Sequence, residues 1–185
     1  WSNMSLTRRR ACALSIVTGT RNREASFYRL LASVIRHTAI SWEMVVAQAS
    51  HAPYEIESKL PTYIRFLREW PPVGPSRWYN RCFRDARGHY VVWLNDDCEV
   101  EPMWAENAIR YMEKHQEVGI GALYFRASGT RAKYNVQTWH ETLYANFGII
   151  RRKFGDELGW FDEDIYFYGN DNSIALRSYL AGKTV

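Results

Sequence analysis

Two rhythms alternate along the first two-thirds of the chain. Continuous apolar runs at 11–17, 42–48, 63–67, 90–94 and 118–125 read as strands buried on both faces. Between them, apolar residues recur at helical spacing. Phe27, Leu30, Leu31 and Val34 form one such face, and Tyr79, Cys82, Phe83 and Ala86 another. A third comprises Trp104, Ala108, Ile109 and Met112. Residues 55–60 predict a short helix stopped by Pro61. Ser76 is placed to cap the helix that follows it, Gly88 to end it, and Pro102 to start the next. Strand–helix alternation of this kind predicts an α/β fold, a mostly parallel sheet with helices on both faces.

The rhythm changes after Phe125. A turn is expected at 128–130, extended chain over 139–150 and a short helix over 152–158. An acidic, aromatic run then leads into a last helix over 172–181, with Gly182 beyond it. One domain over 1–185 is expected, with a nucleotide-type part over about 11–125 and an appended part over about 126–185.

The stretch with the sharpest chemical content runs from Tyr90 to Val100. Five apolar residues lead into Asn95, Asp96 and Asp97. Open α/β sheets bind ligands at the carboxyl ends of their strands. Two adjacent carboxylates there call for positive charge, and a hard divalent cation with oxygen ligands, Mn²⁺ or Mg²⁺, suits them. The structural alternative is that the pair caps the next helix.

Composition narrows the picture without deciding it. The 185 residues carry 24 Lys and Arg against 20 Asp and Glu, an excess too slight to point to nucleic acid. It suits a phosphate-bearing substrate or an anionic membrane surface equally well, and Arg8-Arg9-Arg10 would serve a peripheral membrane contact. Three scattered cysteines, Cys12, Cys82 and Cys98, match no zinc spacing or disulfide framework. With no long apolar run and no signal segment visible, a cytoplasmic location, at most peripheral to a membrane, is expected.

Five segments, in order, resemble an inverting family 2 glycosyltransferase of the GT-A fold. Residues 15–23 are similar to the family's first strand and turn, and 74–90 to its glycine-bounded helix with Asn80 at the family Asn. Asn95-Asp96-Asp97 falls on the D-x-D position, 159–163 on G-G-F-D-E, and 168–177 on F-G-E-D-x-D-L-x-x-R. The resemblance implies transfer of a sugar from a nucleotide-diphosphate donor to an acceptor hydroxyl of a glycan, glycolipid or protein, with inversion. It places Asp97 on the metal, Asp96 on the metal or ribose, and Asn95 on a ribose hydroxyl. It also implies a donor pocket formed by Thr18, Thr20, Asn22 and Gln48, with Arg77 facing the diphosphate. Asp171 falls at the catalytic base, although an Asp opening a helix also serves as an N-cap. Tyr168, Asn170, Trp160 and His140 are the acceptor-side candidates, with Asn146 nearby; Trp160 equally suits the core.

The chain departs from the family pattern in three places. Ala47-Gln48 replaces a carboxylate pair after the second strand, Asn170 replaces a Glu, and Ser173 replaces an Asp. The family also usually continues past the position of Val185, where a His completes the metal shell. Because several family carboxylates are missing, a catalytically weak nucleotide-sugar-binding protein of the same fold is the alternative reading.

Overall fold

The computed structural model describes residues 12–127, 133–166 and 168–185. The triple Arg at 8–10 and the turn expected at 128–130 lie outside the described residues. The elements run β1 (Leu14–Thr20), α1 (Glu24–His37), β2 (Trp42–Gln48), β3 (Ile64–Arg68), α2 (Pro75–Asp85), β4 (Tyr90–Asn95) and α3 (Trp104–Lys114). They continue with β5 (Ile120–Ala122), β6 (Gln137–Trp139), β7 (Thr142–Tyr144), β8 (Gly148–Arg151), α4 (Arg152–Leu158) and α5 (Asn170–Leu180).

Six strands form one sheet in the order β3-β2-β1-β4-β8-β5. β3, β2, β1 and β4 are mutually parallel. β8 is inserted antiparallel between β4 and β5, so a strand from the second part of the chain completes the sheet of the first. The period-2 alternation of each strand divides the core into two layers. Leu14, Ile16, Met44, Val46, Val92 and Leu94 pack under α1 and α3. Val17, Val45, Ala47, Val91, Trp93 and Ile150 pack against α2 and α5.

Several boundaries differ from the expected ones. Residues 57–59 make only a single 3₁₀ turn, and the run at 118–125 yields a strand of three residues. Gly74 at φ +104° precedes α2 and Pro75 opens it, so Ser76 lies inside the helix and is not its cap. Its hydroxyl donates instead to the Ile165 carbonyl. α3 likewise starts after Met103 rather than at Pro102. α2 ends at Asp85, before Gly88. A Cβ on Gly88 would run into the backbone of Leu14 and Ser15, so this glycine serves the close approach of two chain segments.

A buried ion cluster ties the amino ends of the strands together. Glu43 accepts from Ser15 Oγ at 2.6 Å and from the Arg87 N–H at 2.6 Å, and pairs with Arg65 at 2.6 Å. Arg65 also reaches Asp85 at 2.7 Å. Among the described residues, no helix is long and apolar enough to cross a membrane.

Candidate active site

Two clefts open along the carboxyl ends of β1 and β4. The first, of about 590 Å³, is lined by Gly19, Thr20, Arg21 and Arg23 at the end of β1 and the turn beyond it, and by Asn95, Asp96 and Asp97 at the end of β4. Trp78, Tyr79 and Tyr166 complete its walls. The second, of about 350 Å³, is lined by Ser76, Trp93, Asn146, Phe161, Tyr168, Asn170 and Asp171. Pro75, Tyr79 and Asn95 belong to both, so the clefts share a wall. Tyr79 fixes that wall by donating its hydroxyl to the Leu94 carbonyl at 3.1 Å, immediately before the Asn-Asp-Asp stretch.

The carboxylate pair does not cap a helix. Arg23 spans it, with Nη1 3.0 Å from Asp96 Oδ1 and Nη2 2.8 Å from Asp97 Oδ2. Asp97 is half exposed, whereas Asp96 is buried and its Oδ2 has no hydrogen-bond partner. Burial pushes the Asp96 carboxyl above the usual aspartate range, against the opposing pull of Thr20 and Arg23. An unpartnered buried carboxylate oxygen beside an exposed carboxylate is a donor set suited to a hard cation. The described residues contain no cluster of three or more His, Cys, Asp or Glu that would enclose one, so water and ligand oxygens would have to fill the remaining positions. Mn²⁺ or Mg²⁺ at Asp96 and Asp97 fits on those terms.

Asp171 sits in the second cleft as the second residue of α5, after Gly169 at φ +105°. The N-cap position is therefore Gly169. Asp171 Oδ1 accepts from the Asn172 N–H at 3.0 Å, and burial raises its pKa against that bond. Asn170 faces the same cleft, but its amide is engaged internally. Oδ1 accepts from the Asp162 N–H at 2.7 Å and Nδ2 donates to the Ile165 carbonyl at 3.0 Å and to Ser76 Oγ. Asn170 thus shapes the loop before α5.

Other expected site residues lie elsewhere. Thr18 and Gln48 are fully buried on the face toward α1, and neither lines a cleft. Strand alternation turns them inward, since Thr18 and Gln48 share the face of Ile16 and Val46. Thr20 lines the first cleft, its hydroxyl 2.9 Å from that of Tyr54. Asn22, at φ +53°, is exposed on the turn outside the cleft walls, its N–H donating to Ser50 Oγ at 3.3 Å. Arg77 lines neither cleft and pairs with Glu163 at 3.7 Å, which Arg84 also meets at 3.4 Å. Trp160 belongs to the core: it is 5% exposed, stacks on Phe83 at 4.5 Å and donates from Nε1 to Asp156 at 2.9 Å. His140 lies at the exposed turn of the β6–β7 hairpin beside Trp139, away from both clefts.

Arg23 and Tyr79 are among the cleft residues that the sequence did not single out, as are Arg21 and Trp78. Arg23 stood within the turn motif, but nothing in its spacing showed that it reaches across to β4. Tyr79 read as one more apolar position of a helical face.

The model of the family described as glycosyl transferase family 2 matches residues 15–181. The chain belongs to glycosyl transferase family 2. No curated protein sequence matches it. Among solved structures, S. aureus TarS 1–349 superposes with a TM-score of 0.72 at 17% identity, over 91% of this chain and 55% of that one. The same fragment in complex with UDP-GlcNAc gives a TM-score of 0.69 at 17% identity, over 91% and 53%. Mannosyltransferase PcManGT from Pyrobaculum calidifontis, in complex with GDP-Man and Mn2+, gives 0.72 at 15%, over 92% and 53%. This glycosyl transferase family 2 chain therefore has the GT-A fold and spans about half the length of these structures.

Proposed function

We propose that this chain provides the nucleotide-sugar site and the base of an inverting glycosyltransferase, which moves a sugar from a nucleoside-diphosphate donor to an acceptor hydroxyl. The observation that carries this is the shared wall between the clefts. Asp96 and Asp97 line one side and Asp171 the other, with Tyr79 and Asn95 between. In this reading residues up to about 125 supply most of the donor site, and the later residues most of the acceptor side.

The donor diphosphate lies in the larger cleft, its ribose within reach of Asn95 and Thr20. The relatives of known structure that hold UDP-GlcNAc or GDP-Man support a nucleotide-sugar ligand, without choosing its base. Mn²⁺ or Mg²⁺, held by Asp97 and the unpartnered oxygen of Asp96, would supply Lewis-acid stabilisation of the leaving diphosphate. Asp171 takes the proton from the acceptor hydroxyl, and its raised pKa improves it as a base. A nucleophile entering from the Asp171 side meets the anomeric carbon opposite the diphosphate, which inverts the configuration. Tyr168, 88% exposed at the mouth of the second cleft, offers a ring for an acceptor sugar. A glycan, glycolipid or protein acceptor all suit such a cleft.

Calorimetric titration with UDP and with GDP, each with Mn²⁺ and with EDTA, tests the reading. Metal-dependent binding of one of them is expected, lost in Asp97→Ala. Absence of binding by every nucleoside diphosphate would overturn the donor site. Slow hydrolysis of the matching nucleotide sugar would separate an enzyme from a catalytically weak binding protein.

A further inference from the structure

We propose that Arg23 is an exchangeable counter-ion of the carboxylate pair, displaced by a divalent cation onto the diphosphate of the donor. The proposal rests on the donor-site reading above. One guanidinium forks across two different carboxylates, at 3.0 Å to Asp96 and 2.8 Å to Asp97. Such a fork is a strong, directional arrangement, and it holds both oxygens it touches. A cation taking those carboxylates would meet a positive charge already there.

The rest of the residue is arranged for movement of the head alone. The Arg23 backbone N–H donates to the Tyr54 hydroxyl at 3.2 Å, and its carbonyl accepts from Phe27 in the first turn of α1 at 3.0 Å. Its side chain is 49% exposed and lines the donor cleft, so the guanidinium can leave the carboxylates without entering the core. Arg77 and Arg84 are held by Glu163, and Arg81 by Glu69, all outside this cleft. Of the two arginines that line the cleft, Arg21 and Arg23, it is Arg23 that grips the carboxylates and whose partners change when metal arrives. A diphosphate offers the released guanidinium a bidentate anionic partner. Metal and nucleotide then bind with positive coupling, because each removes a cost that the other would bear alone.

The test compares wild type, Arg23→Gln and Arg23→Lys by titration with Mn²⁺ alone, followed by UDP or GDP at saturating Mn²⁺. Circular dichroism checks that each variant is folded. Arg23→Gln is expected to bind Mn²⁺ alone about tenfold more tightly, and the nucleotide about tenfold more weakly, than wild type. Arg23→Lys, which keeps the charge but cannot fork across two carboxylates, falls between them. Unchanged Mn²⁺ affinity in a folded Arg23→Gln protein would overturn the proposal whatever the nucleotide does. Failure of wild type to bind any nucleoside diphosphate would instead overturn the donor reading, while the Mn²⁺-alone comparison still decides the exchange.

Discussion

Asn80 clasps the backbone of Phe161 from both sides. Its Nδ2 donates to the Phe161 carbonyl at 2.8 Å and its Oδ1 accepts the Phe161 N–H at 3.0 Å. The same Nδ2 reaches Glu163 at 3.0 Å. One buried amide on α2 therefore anchors a segment some eighty residues later, which leads to the loop before α5. Ser76 and Asn170 add a second tie between the same two regions. Removing the amide leaves a buried N–H and a buried carbonyl without partners.

Asn80→Ala is accordingly expected to cost about 3 kcal/mol of stability, at roughly 1–3 kcal/mol per orphaned group. Urea unfolding measures this. Donor binding should change less than transfer, since Asp97 and Arg23 are not held by this clasp. A fall below about 0.5 kcal/mol would show that the loop is held chiefly by the packing of Phe161 on Phe83 and Trp93.

As the proposed base, Asp171 should separate chemistry from binding. Asp171→Asn should lower transfer by roughly 10²–10⁴-fold, the usual range for a general base, with nucleotide affinity retained. Wild-type turnover should fall as pH drops through the raised carboxyl pKa, because the base must be ionised. The stability effect has the opposite sign. A carboxyl whose pKa is raised by folding stabilises below its unfolded pKa, and that contribution is lost as pH rises through the folded one. Asp171→Asn should therefore unfold at the same or a higher temperature at neutral pH. A large loss of stability in a thermal melt would mark Asp171 as structural.

Glu43 behaves in reverse. Its burial would raise the pKa, but hydrogen bonds from Arg65, Ser15 and Arg87 outweigh it and hold the carboxyl below the usual glutamate range. Its contribution is present above the unfolded pKa and is lost as pH falls through the folded one. Glu43→Gln should cost about 1.5–3 kcal/mol at neutral pH, the range for losing a charge-assisted hydrogen bond, since Arg65 keeps Asp85 as a partner. It should also flatten the decline in stability on acidification. Equal acid sensitivity of variant and wild type in urea titrations would place the acid-labile group elsewhere.

The sequence by itself determined most strands and helices of the first two-thirds, because burial on one or two faces imposes a period on the apolar residues. The runs at 42–48 and 90–94 and the helical face of Phe27 to Val34 all stand where their patterns put them. It also determined that Asp96, Asp97 and Asp171 belong to clefts, since each follows or opens an element at the sheet's carboxyl edge. Only the tertiary structure decided that β8 enters antiparallel beside β4, because strand pairing is a long-range contact with no local signature. The same holds for side-chain direction and partners. Thr18 and Gln48 turn inward with their strands' alternation, and Arg77 finds Glu163 86 residues away. The positive charge that the Asp pair called for is met by Arg23, 74 residues before Asp97. Periodicity reports which residues are buried, whereas the choice among charged partners depends on distances that exist only once the sheet has formed.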